Sequence, residues 1–148
     1  MAPNISAPSQ FQIGNFFIHN NSVTRELCDR AAEEIASQTV TPTSCQGGSS
    51  YTVEGGKVAI QFCAPRADLD MELLQHVEHA YAGFVPHHEY RSDIGKLKVY
   101  ALENIGGVCM YLARDVLQSN TCSLLRVTLD DYARLVQWIH GKTTISTN

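Results

Sequence analysis

The turn Gly47-Gly48-Ser49-Ser50 is the first stretch that could do chemistry, because successive backbone N–H groups of small residues can converge on an anion. The same composition also makes a plain turn ahead of a strand. Glu72, His76 and His79 follow at i, i+4 and i+7, which puts a carboxylate and two imidazoles on one helical face. Such a trio could bind zinc or iron. Glutamate and histidine are equally at home on a solvated helix flank, and no metal is expected here. His87, His88 and Glu89 come after Pro86 in a turn. Imidazole is the side chain best placed for proton transfer near neutral pH, although turn histidines are often simply exposed. Cys63 and Cys109 would become nucleophiles only beside a base, and buried, inert thiols are the default.

The elements that must position these residues can be read from periodicity. Residues 1–10 read as a loosely held tail rich in Pro, Ser and Asn. Residues 22–38 predict a helix capped by Ser22, with Val23, Leu27, Ala31 and Ile35 on its apolar stripe. The Thr, Pro, Ser and Gly of 39–49 break it. Residues 49–53 and 57–62 read as two strands flanking Glu54-Gly55-Gly56, since glycine accepts positive φ in a hairpin turn. A helix is expected over 68–84, capped by Asp68 or Asp70. A short strand at 88–91 and a longer one over 96–105 come next. A last helical region fills 111–140, where Leu125, Leu129, Tyr132, Val136 and Ile139 are spaced 4, 3, 4, 3. Thr128 and Asp131 fit a capping box, which would start or restart the helix there. Tyr81, Tyr132 and Trp138 are expected in the core. The order α, β-β, α, β-β, α predicts an α+β domain over 11–140, with an antiparallel sheet and a loose tail at 141–148.

The chain has 148 residues, enough for one domain with its own core. Its net charge of −4, without a basic run, argues against a nucleic-acid partner. No stretch approaches the ~18 apolar residues of a membrane span. The first residues lack the charged and apolar regions of a signal peptide. Cys28, Cys45, Cys63, Cys109 and Cys122 are widely spaced and odd in number, which suits reduced thiols in the cytoplasm.

An ordered series of weak motifs over roughly 39–140 resembles the N-terminal lobe of the aminoglycoside-phosphotransferase-like kinases, especially their fungal members. QGGSSYTV (46–53) resembles the family's loop over the phosphates, and VAIQF (58–62) its third strand. DLDMELLQHVEHAYAGFVP (68–86) resembles the helix that follows, with Glu72 where a glutamate pairs with the strand cation. VYALENIGG (99–107) resembles the hinge, placing Glu103 there, and DDYARLVQWIH (130–140) resembles the helix ahead of the catalytic loop. The resemblance therefore implies a kinase-like N-lobe whose nucleotide would meet Gly47, Gly48, Ser49, Ser50, Gln61 and Glu72. Gln61, however, stands where a lysine or arginine is usual, and the catalytic and metal-binding aspartates would lie beyond residue 140. Phosphoryl transfer is therefore not expected, and neither is a cofactor.

What remains is a lobe with a cleft between its sheet and last helix. Such a cleft could hold an apolar metabolite and catalyse an isomerisation, cyclisation or elimination, as in a fungal secondary-metabolite pathway. Glu103, His87, His88 and Tyr100 are the candidate acid–base groups. Glu103 would accept a proton if an apolar pocket raised its pKa, or else would bond local backbone groups. The apolar seam of the last helix must be covered, so a homodimer or a hetero-complex is expected. A regulatory pseudokinase fragment that binds nucleotide or a partner protein is the alternative, and a gene remnant without an independent role is the third.

Overall fold

The computed structural model describes residues 5–108 and 110–145, with side chains at all of these except 110, 111, 120, 121 and 138–145. The expectations for Cys109, Trp138 and Ile139 fall outside the described side chains. The chain divides into a first unit that ends at Ile105 and a second that begins at Gly106. In chain order the elements are α1 (Ala7–His19), α2 (Arg25–Ala36), β1 (Thr41–Pro42), β2 (Ser50–Gly55), β3 (Val58–Cys63), α3 (Met71–Ala80), β4 (His88–Ile94), β5 (Leu97–Glu103) and α4 (Met110–Ile145). A single 3-10 turn, Pro65–Ala67, precedes α3.

The architecture is α+β, with a five-stranded antiparallel sheet in the order β1-β2-β3-β5-β4. Strand alternation sorts the sheet into two faces. One face carries Tyr51, Val53, Ile60, Phe62, Leu97 and Val99, all wholly buried. Ile13 and Phe16 of α1 and Cys28 and Ala32 of α2 complete that core. Burying such side chains contributes roughly 1.5–3 kcal/mol each. The opposite face presents Ser50, Gln61, Tyr90, Lys98 and Tyr100, in register across four strands.

Both hairpins close on a Gly-Lys pair. Gly55 pairs with Val58 and Ile94 with Leu97, leaving Gly56-Lys57 and Gly95-Lys96 as two-residue turns. Gly56 and Gly95 take φ +57° and +59°, as the primed turns matching strand twist require. The first turn is thus one residue later than Glu54-Gly55-Gly56 suggests. Gly55 is a buried strand residue instead.

A helix begins at Ala7 where a loose tail was expected, and Ser6 caps it by accepting from the Ser9 N–H. Its signal is faint in sequence because Ile13 and Phe16 are its sole buried large apolar residues. The N-cap of α2 is Thr24, not Ser22. Asp70 caps α3, accepting from the Leu73 N–H at 3.0 Å. In the second unit α4 runs through Thr128, whose hydroxyl donates to the Leu124 carbonyl at 2.9 Å. Thr128 is therefore inside the helix, and Asp131 pairs with Arg134 at 3.7 Å without forming the expected capping box. Leu129 and Tyr132 of α4 are exposed, so Tyr132 is not a core residue, and Tyr81 is half-buried.

Candidate functional site

Glu78, near the end of α3, gathers both histidines of the following turn. Its Oε2 lies 2.8 Å from His87 Nδ1, and its Oε1 lies 3.0 Å from His88 Nδ1. The His88 backbone N–H donates to the same Oε1 at 2.7 Å. An ionised carboxylate can only accept, so each Nδ1 carries hydrogen and each neutral ring keeps its lone pair on Nε2. The bond from His87, foremost, holds the Glu78 carboxyl below the ordinary carboxylate range. The His88 side chain is 11% exposed and that of His87 70%, so the two rings differ in access.

His87 lines two hollows of the first unit. One has a volume of 390 Å³ and is walled by Glu78, Phe84, Val85, Glu103 and Ile105 together with the α3–β4 turn. The other has 310 Å³ and lies over Lys57, Val58, Ala101 and Leu102, with Glu89 and Arg91 at its side. Glu103 also lines both. The backbone holds this end of the sheet firmly. The Glu103 N–H donates to the His87 carbonyl at 3.0 Å, extending the β4–β5 ladder by one pair. The Asn104 N–H donates to the Lys57 carbonyl at 2.8 Å, and its side chain donates to the Gly56 carbonyl at 3.1 Å.

Of the four expected acid–base residues, His87 and Glu103 share a cavity, and His88 is joined to them through Glu78. Tyr100 is elsewhere, buried in the middle of β5. Its hydroxyl donates to Asp68, which also pairs with Lys98. Burial, then the Asp68 bond, pushes the Tyr100 phenol up to about 12, so it serves as a fixed donor and not as a proton carrier. Neither hollow includes Tyr100.

The expected nucleotide loop has a different internal order. Gly47 and Gly48 do not take positive φ, so they lack the alternation of a backbone nest. Gln46 organises the loop. Its side-chain nitrogen donates to the Thr43 and Thr52 carbonyls at 3.0 and 2.7 Å, and its oxygen accepts from the Thr52 N–H at 3.0 Å. The buried Ser9 of α1 ties the same loop down by donating to the Ser44 carbonyl. Ser49 is exposed, and Ser50 accepts from the Gln61 amide at 3.1 Å across the hairpin. Glu72 is exposed in the first turn of α3. Neither hollow includes residues 46–50, 61 or 72.

Among the described residues, no group of three His, Cys, Asp or Glu is arranged to hold a metal ion, which leaves His76 and His79 on an exposed flank. Burial pushes the Cys63 thiol up to about 11, with Asp68 adding to it, so it stays protonated. Glu78 and Gln46 are not legible in the sequence as functional or organising residues, and Asp68 reads only as a possible cap of α3, the place Asp70 takes. Glu78 and Asp68 find their partners in β4, β5 and the turn before β4, while Gln46 bonds Thr43 and Thr52 within an irregular stretch, and no periodicity marks either case.

The chain matches no family model, no curated protein and no solved structure.

Proposed function

We propose that the first unit binds a small, partly apolar metabolite at the hollow between the α3–β4 turn and the end of β5, and moves a proton on it. The carrying observation is the Glu78–His87 pair at 2.8 Å within a cavity that Glu103 also lines. Glu78 holds His87 by Nδ1–H and leaves Nε2 as the base, the geometry in which an oriented imidazole takes a proton. The imidazolium so formed returns that proton at a neighbouring substrate atom, and Glu103 supplies a second carboxylate at the same wall to orient the substrate. Phe84, Val85 and Ile105 offer the apolar surface a metabolite body needs. Isomerisation, cyclisation and elimination are reactions within reach of one base and one acid.

The kinase-like reading of the lobe is part of this proposal. It is supported by the placement of Gln61 on β3 and Glu72 on the next helix. Gln61 carries no charge to set against a phosphate, so phosphoryl transfer is not assigned. The proposal extends to a second copy or a partner protein meeting the exposed Leu124, Val127, Leu129 and Tyr132 of α4. Among the described residues no helix is long and apolar enough to cross a membrane.

The test is a fragment screen followed by amide chemical shifts. Hits should perturb Phe84, His87 and Glu103, and His87→Ala should weaken them about tenfold or more, as expected for losing a principal polar contact. Hits that gather elsewhere, or micromolar binding of Mg²⁺-ATP at residues 46–61, would overturn the reading.

A further inference from the structure

Helix α3 is attached to the sheet differently from the other helices of the first unit. None of its ten residues, all of them described, is buried, whereas α1 and α2 each drive side chains into the core. No α3 side chain belongs to the apolar cluster of the first unit. Leu73 is 58% exposed, and Leu74 and Val77 are half-buried. The strand α3 mainly packs on is β4, the edge of the sheet.

Two polar clamps hold it there. Ahead of its N-terminus, Asp68 takes the Lys98 ammonium and the Tyr100 hydroxyl of β5. Near its C-terminus, Glu78 takes His87 and His88. The solvent-reached pairs, His87–Glu78 and Lys98–Asp68, contribute little apiece, and a segment with no fully buried apolar side chain lies toward the low end of local stability.

We infer that α3 is a latch whose docking assembles and dismantles the His87 site. The inference rests on the acid–base reading given above for its functional meaning. The same carboxylate that docks the helix also orients the base. When α3 leaves the sheet, His87 loses the partner that keeps its Nδ1 protonated and the hollow loses the Glu78 wall. Docking and site assembly are one equilibrium, and a ligand that prefers the assembled site draws the helix down.

Native-state hydrogen exchange, read with imidazole nitrogen shifts, tests this on the full chain. The amides of 74–81 should exchange about tenfold or more faster than those of β3 and β5 in the unaltered protein, by opening that leaves the sheet intact. Glu78→Ala should speed the α3 amides further while sparing β3 and β5. Asp68→Asn removes charge at the far clamp and touches neither histidine. It should both speed the α3 amides and shift the His87 ring toward a mixture of tautomers. Exchange of α3 and sheet amides at a common rate would overturn the latch. An Asp68→Asn variant with faster α3 exchange and an unchanged His87 ring would overturn the coupling. If Glu78→Ala does not fold, the unaltered protein and Asp68→Asn still decide both points. Failure of every metabolite probe at the hollow would sink the acid–base reading and leave these exchange rates as they are.

Discussion

An ionised carboxylate only accepts hydrogen bonds, so Glu78 engages Nδ1 of His87 and His88 as donors and leaves Nε2 outside these bonds. The same fact fixes a dependence on pH. Glu78 and Asp68 are both held below their ordinary values, Glu78 by His87 first and Asp68 by Lys98 first. A carboxylate with a depressed folded pKa contributes stability above its unfolded value and loses it as pH falls through the folded one. Denaturant midpoints should therefore be flat from about pH 5 to about pH 8 and fall below about pH 4, with a second fall at alkaline pH where unfolded thiols and phenols ionise and the buried ones do not. Glu78→Gln should lower the plateau and shallow that acid limb, and an unchanged limb would count against the assignment. Tyr51 follows the other logic. Its ring is fully buried, and its hydroxyl donates to Asp29 at 2.6 Å and accepts from Arg25 at 3.3 Å. Burial foremost raises its pKa, so it remains a neutral donor.

At the scale of elements, the turns separate glycines that the backbone requires from glycines that merely fit. Gly95 has φ +59°, and a Cβ there would lie 2.9 Å from Val23 Cγ1. Gly95→Ala should cost about 1–2 kcal/mol for the left-handed backbone alone, with the contact adding to it. Gly48 has no positive φ, and a Cβ there would meet the movable end of Gln12 at 3.2 Å. Gly48→Ala should change stability by no more than about 0.5 kcal/mol, as surface substitutions usually do. Chemical denaturation of the two variants checks both. A large loss in Gly48→Ala would mean that the 46–50 loop needs its glycines after all and would revive an anion site there.

For the whole molecule, the division at Ile105 is the feature that matters most. The first unit has its own core of two helices on one sheet face, and its site draws on no residue after Ile105. Residues 1–105 alone should therefore give a dispersed amide spectrum that overlays the corresponding part of the full chain. The full chain should sediment with a concentration-dependent mass, through the exposed apolar residues of α4, and the 1–105 fragment should not. A full chain that stays monomeric at every concentration would remove the proposed partner surface.

Sequence alone determined what is local. The alternation of 50–63 and 97–103 and the offer of Asp68 or Asp70 as a cap specify strands and a helix start, because each depends on neighbours a few residues away, although the first turn reads one residue early as Glu54-Gly55-Gly56. It also singled out His87 and Glu103 as residues worth watching. It missed α1, whose buried Ile13 and Phe16 make too thin a stripe to stand out from a polar context. The meeting of Glu78 with His87 and His88, the retirement of Tyr100 onto Asp68, and the bracing of the 43–52 loop by Gln46 were decided by the tertiary structure alone. The Glu78 and Tyr100 contacts join separate elements by polar bonds, and the Gln46 bonds span three to six residues of irregular chain; neither leaves a period in the sequence. The Glu78 contacts depend on α3 lying against β4, which pairs with β5 at the edge of the sheet.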